Sequence, residues 1–260
     1  MKNLIVSFIL SLLCINTPVI LYSQSKPTQN NIYPAPAKYS ISVTGGYSYT
    51  LSNANGELSS FNWYIDPATN KYVFSADNYA MQQGYGITAT GKMNLNPSGK
   101  VRITGSLGYN LFYNTKDKGL NRTKWQLFNF GAGIEYCFMP KSKNKPFIGY
   151  EMNYTFMFGA WQTNITYPDN SVGNIYVKFK PESRLGMAVN TGMEFPISKR
   201  AGVILGLRGI WANITPKRNN FVSGYETNFN DSGNNNGINL QSPKQMIYMQ
   251  IVGGFNFRLR

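Results

Sequence analysis

Eight ionisable side chains fall on one parity of the alternating segments of this chain: Lys92, Arg102, Glu135, Glu151, Arg184, Glu194, Arg208 and Arg258. Counting outward from the connection 139–146 sets Glu135 opposite about Glu151. Two carboxyl groups so placed could share acid–base work, one protonated and one ionised. Otherwise each takes a cation, because adjacent like charges repel. Arg102, on the neighbouring segment, is the expected partner of Glu135. With no cleft to seat a substrate, the pattern favours the second use: an internal ion network, structural or gating.

The chain contains no histidine. Mechanisms that need a histidine base are excluded, as are metal centres built from His and Cys clusters. Its two cysteines are Cys14 and Cys137, and no G-x-x-x-x-G-K-[ST] phosphate loop occurs. The expectation is a protein that is not an enzyme and carries no cofactor.

The elements that must position these charges are strands. Residues 101–114 read VRITGSLGYNLFYN, with Val101, Ile103, Leu107, Tyr109, Leu111 and Tyr113 on one parity and small or polar residues on the other. Seven further segments repeat the pattern: 39–51, about 83–95, about 124–138, 147–158, 183–195, 202–213 and 245–259. Each has the length of a tilted membrane-crossing strand. No apolar run in the body is long enough for a spanning helix. Aromatics make up 15% and charged residues only 14%, the latter low for a soluble exterior.

Short connections (96–100, 140–146, 196–201) alternate with longer ones (52–82, 115–123, 159–182, 214–244) rich in Asn, Gly and Ser. One end of the structure should therefore carry tight turns and the other large loops. A soluble sandwich or lipocalin-like barrel also alternates, but its outer face would be charged. Here the second face reads Ser40, Ser42, Thr44, Gly46 and Ser48 in one segment and Gly84, Gly86, Thr88 and Thr90 in the next. Such residues suit a narrow lumen, which puts the apolar face against lipid. The predicted fold is an eight-stranded antiparallel up-and-down transmembrane β-barrel. Ten strands is the alternative, because Asn55–Gly56 is a hairpin signal and FNWYI and KYVF could pair. The preferred reading makes these a hairpin above the membrane, and WQTNITY and NIYVKF an extension of the fifth and sixth strands.

The N-terminus begins with Lys2 and the apolar core LIVSFILSLL, which reads as a secretory signal peptide over 1–23. A polar periplasmic lead-in over 24–38 and the barrel over 39–260 follow. Cys137 is then the lone cysteine of the exported chain. The net charge of +14 points to an anionic lipid surface rather than nucleic acid in an exported protein.

Outward aromatics near strand ends, among them Tyr47, Tyr85, Tyr113, Tyr136 and Trp211, read as interfacial girdles. Lys116, Lys118, Arg122, Lys178 and Lys180 form a basic rim among the long loops. This rim is either simply solvated or in contact with the phosphates of lipopolysaccharide.

The segment Gly254-Phe255-Asn256-Phe257-Arg258-Leu259-Arg260 is similar to the terminal insertion signal of outer-membrane barrels, a Gly followed by spaced aromatics, though it ends in Arg260 rather than an aromatic. The pattern as a whole resembles the small Gram-negative outer-membrane barrels of the OmpA-, OmpX- and OmpW-like kind. The resemblance implies location in the cell outer membrane and contact with the barrel assembly machinery during insertion. It leaves two functions open. One is a non-enzymatic envelope protein whose loops bind an extracellular or envelope protein partner or lipopolysaccharide. The other is a narrow porin-like channel for ions or small solutes.

Overall fold

The computed structural model describes residues 36–56, 61–66, 71–76, 78–114, 121–166, 171–217, 222–223, 226–227, 231 and 244–259. The expected signal peptide, most of the lead-in, and the rim residues Lys116 and Lys118 lie outside them.

The strands are β1 (Tyr39–Leu51), β2 (Phe61–Asp66), β3 (Lys71–Ala76), β4 (Gln83–Asn94), β5 (Val101–Asn114), β6 (Asn121–Cys137), β7 (Lys145–Thr166), β8 (Val172–Pro196), β9 (Ala201–Trp211), β10 (Val222–Ser223), β11 (Glu226–Thr227) and β12 (Ile247–Leu259). Eight of them close a barrel in the order β1, β4, β5, β6, β7, β8, β9, β12 and back to β1, every pairing antiparallel. The fold is that of the small outer-membrane barrels: closure leaves no free edge along the wall.

The register sets the tilt. A walk straight across the strands from Tyr39 passes Met93, Ile103, Ile134, Tyr150, Val189, Gly209 and Met249, and re-enters β1 at Tyr49, ten residues further along. With standard strand rise and spacing, that offset tilts the strands by about 40°. Each residue then climbs about 2.5 Å along the axis, so the thirteen residues of β1 climb about 30 Å, enough to cross a bilayer.

The sidedness is inverted relative to a soluble protein. Outward positions are apolar and exposed, for example Ile87, Leu107, Ile134, Leu205 and Ile251, the last at 67%. Inward positions are polar and buried: Ser42, Ser48, Thr50, Thr88, Thr104, Ser106 and Asn110. An apolar exterior this continuous is at home only in a nonpolar surrounding.

Two features beyond the wall follow the expected reading. β2 and β3 pair with each other in a sheet of their own, Phe61 opposite Ala76 and Asp66 opposite Lys71. Asn55–Gly56, the hairpin signal, lies outside this pairing. β7 and β8 run to 22 and 25 residues, pairing as far as Thr166 with Val172 across a bulge between Met157 and Gly159. β11 adds to β8 in parallel, Glu226 opposite Lys178, a pairing without a local sequence signal.

Candidate functional site: the filled lumen

The short-turn end holds a continuous chain of charges. Lys92 Nζ lies 2.7 Å from Glu135 Oε2, and Arg102 Nη1 lies 2.9 Å from Glu135 Oε1. The same Nη1 reaches Glu194 Oε2 at 3.3 Å, and Arg258 Nη2 lies 3.3 Å from Glu194 Oε1. Asn256 donates to Glu194 Oε1 at 2.8 Å. Lys145, which the parity reading overlooked, is buried at this level as the strand neighbour of Glu194. Strand ends position these charges: Lys92, Arg102, Glu135, Lys145 and Glu194 sit within three residues of a tight turn, where the register is most strongly set, and Arg258 is next to the last residue of β12.

A second layer stands above the first. Arg208 Nη2 lies 2.8 Å from Glu151 Oε2, and its Nη1 donates to Thr88 Oγ1 at 3.0 Å. Ser106 donates to Glu151 at 3.0 Å. β9 and β4 are three strands apart in the wall, so Arg208 reaches across the interior. Between the layers is a cavity of about 50 Å³ with a mixed lining, Lys92, Glu135, Glu151 and Arg208 beside Phe147 and Ile204 among others, with room for a few waters. Gly131 makes space for this layer: a Cβ there would collide with Ser106 and Asn153 and crowd Glu151.

Above these the lumen turns from ionic to neutral and then to apolar. The Tyr248 hydroxyl accepts from Asn110 and Asn129 at 3.2 and 3.3 Å, and Gln250 donates to Ser48 and Asn110 at 2.8 and 2.7 Å. Toward the long-loop end Met81, Phe112, Trp125, Leu127, Met157, Ile210 and Met246 are fully buried. Phe112 packs edge-on to Tyr248, and Trp125 packs against Phe179. The Trp125 Nε1 donates to the carbonyl of Tyr79 at 2.7 Å, and Thr123 donates to Ala80 O at 2.8 Å, which ties residues 79–81 to the barrel wall.

Asp231 joins the loops at this mouth. Arg184 Nε lies 2.6 Å from Asp231 Oδ2, the Lys217 amide donates to the same oxygen at 2.9 Å, and the Tyr79 hydroxyl donates to Oδ1. Lys244 donates its amide to the Asp231 carbonyl at 2.7 Å. Burial, reinforced by the Asp231 charge, pushes the Tyr79 hydroxyl well above the usual tyrosine value.

All eight charges expected inside are buried inside, but they form three groups. Lys92, Arg102, Glu135, Glu194 and Arg258 make one, and Arg208 with Glu151 a second. Arg184 stands apart at the loop end with Asp231 and Glu182. Glu135 and Glu151 are not opposite each other, which corrects the expected pairing: Glu135 faces Gly149, and Glu151 faces Gly133. The turn is shorter than counted, since the Phe138 amide already bonds Pro146 O at 2.9 Å. The residue opposite Glu135 is therefore Gly149, two positions from Glu151, and the carboxylates lie on different layers.

The apolar mouth went unforeseen, although Phe112, Trp125, Leu127, Ile210 and Tyr248 are visible on the polar parity. An apolar residue on both faces of a strand marks a stretch that meets lipid outside and packing inside. Asp231 has no such signal. Of the basic rim, Arg122, Lys178 and Lys180 are exposed. Lys124 and Lys178 flank Ala160 on adjacent strands, gathering these cations on the outer face of the β6–β8 extension. Among the described residues no group of His, Cys, Asp and Glu could hold a metal.

No family model matches the chain, and no curated protein does. Solved structures with a similar course include neisserial surface protein A, at 12% identity over 86% of this chain and 98% of that one, with a TM-score of 0.44. The attachment invasion locus protein Ail of Yersinia pestis aligns at 8% identity over 85% and 99%, with a TM-score of 0.39. The outer membrane protein OprG of Pseudomonas aeruginosa aligns at 11% over 87% and 98%, with a TM-score of 0.38.

Proposed function

We propose that this chain is a non-enzymatic barrel of a bacterial outer membrane, exported through its signal segment 1–23, with both ends of the barrel periplasmic. Its working surface is the long-loop face, where Arg122, Lys124, Lys178 and Lys180 would meet the phosphates of lipopolysaccharide. The observation that carries this reading is the pairing of an apolar outer wall with a lumen bridged by side chains at every level. Salt bridges cross it at the turn end, Arg208 spans its middle, and Trp125, Phe112 and Tyr248 fill its loop end. A wall of this kind requires lipid, and a lumen so filled leaves function to the exterior.

The rival reading is a narrow channel, supported by the cavity between the two ionic layers. Planar-bilayer recording of the refolded mature chain separates them. Silence from protein shown to be folded supports the closed barrel. Discrete current steps that scale with salt, and change ion selectivity when Arg102 is neutralised, would overturn it.

A further inference from the structure

The two ends of the barrel differ in charge. Seven of the eleven acidic residues (Glu57, Asp66, Asp77, Asp117, Asp169, Glu226 and Asp231) lie outside the eight barrel strands, in the connections of the long-loop end, and the other four, all glutamates, lie in β6, β7 and β8. None lies in the lead-in or in a short turn. Those segments instead present Lys38, Lys100, Lys141, Lys143, Lys199 and Arg200, each exposed. The glutamates nearest this end, Glu135 and Glu194, are buried and held by internal cations, so they do not offset the exposed charge outside.

Each short turn repeats one arrangement. An exposed lipid-side apolar residue is followed within five positions by one or two cations: Leu95 then Lys100, Phe138 then Lys141 and Lys143, Ile197 then Lys199 and Arg200. Lys38 stands beside the exposed Tyr39, its Nζ 5.3 Å from the ring centroid. The turns are also fixed in place. Cys137 N donates to Lys100 O at 2.7 Å, Arg258 N to Arg200 O at 2.8 Å, and Ile197 N to Ala201 O at 3.0 Å. A cation a few residues beyond the last lipid-facing side chain, on a turn that cannot swing away, stands at the depth of lipid head groups.

We propose that the short-turn end is an electrostatic collar for the phosphates of anionic phospholipids in the leaflet on that side. The adjoining apolar residues select lipid over an acidic soluble partner, because they hold the cations at the hydrocarbon edge rather than out in water. The proposal rests on the lipid-spanning reading above.

The test uses the mature chain inserted in phosphatidylcholine vesicles containing spin-labelled phosphatidylglycerol or spin-labelled phosphatidylcholine as probe. The electron spin resonance spectrum reports the fraction of each probe held at the protein. Expected is a several-fold preference for phosphatidylglycerol that high salt removes. A variant with Lys100, Lys141, Lys143, Lys199 and Arg200 changed to Gln should lose a large part of it, while the lipid-facing Ile103→Ala should keep it. Equal association of the two probes with the inserted protein, or a preference untouched in the turn variant, would overturn the collar and turn the search to an acidic periplasmic protein. A chain that fails to enter vesicles at all would instead overturn the lipid-spanning reading itself.

Discussion

Arg102 on β5 and Glu194 on β8 stand three strands apart in the barrel wall, yet Arg102 Nη1 lies 3.3 Å from Glu194 Oε2. The contact crosses the lumen, and Arg102 also holds Glu135. Removing one member of a buried ion group leaves its partners charged and uncompensated, at about 3–5 kcal/mol. Arg102→Ala should therefore lower the urea midpoint of unfolding from vesicles far more than a lipid-facing change such as Ile103→Ala. Adding Glu135→Gln and Glu194→Gln to Arg102→Ala should restore part of the loss, since the stranded charges are gone. A midpoint for Arg102→Ala equal to that of Ile103→Ala would show that the network contributes little.

The clasp at the loop end is Asp231, bonded to Arg184, Tyr79 and the Lys217 amide. Asp231→Ala should release it while the barrel stays closed. Limited proteolysis reads this directly: tryptic cleavage after Lys217, whose amide bonds Asp231, should accelerate many-fold, and the barrel's heat-modifiable gel migration should be unchanged. Cleavage at the parent rate would mean that other contacts hold the loop.

The same clasp should respond to alkali. The folded Tyr79 hydroxyl titrates above its unfolded value of about 10, because burial and Asp231 oppose the phenolate. Its contribution is complete below that value and falls as pH rises from there through the folded value. Loop protection against a protease active in alkali should therefore decline above about pH 10. In Tyr79→Phe the loop should be less protected at neutral pH, and the alkaline decline should shrink. An identical pH profile in both proteins would remove Tyr79 from the clasp.

Gly133 faces Glu151 across the β6–β7 seam, where an added Cβ would strike the Tyr150 carbonyl oxygen. The obstacle is backbone, so the strands must separate locally. Gly133→Ala should cost about 1–3 kcal/mol, whereas Gly105→Ala, with open space around its Cβ, should be nearly neutral. Thermal unfolding in detergent micelles would rank the two.

The basic rim gives a prediction on the opposite face. Changing Arg122, Lys124 and Lys178 to Gln should weaken binding of purified lipopolysaccharide to the refolded barrel several-fold at low salt, with a smaller effect at high salt, where surface charges are screened. Titration calorimetry would read it, and an unchanged affinity would reduce the rim to a solvated edge.

How much of this was open to the sequence follows from how each feature is encoded. The eight barrel strands, their inward and outward faces, and the alternation of short and long connections all follow from period-two patterning, which each strand carries by itself. Parity alone likewise put Arg102, Glu135, Glu194 and Arg258 inside. Which of them meet is another matter, since contacts across a lumen depend on closure, and closure depends on a register offset accumulated over eight seams. The turn closes one residue early, where Phe138 bonds Pro146, so Gly149 and not Glu151 stands opposite Glu135. The apolar mouth and the Asp231 clasp lie further still from any local pattern. They join Tyr79 to Arg184 and Asp231, residues more than a hundred positions apart, and only the folded chain brings them together.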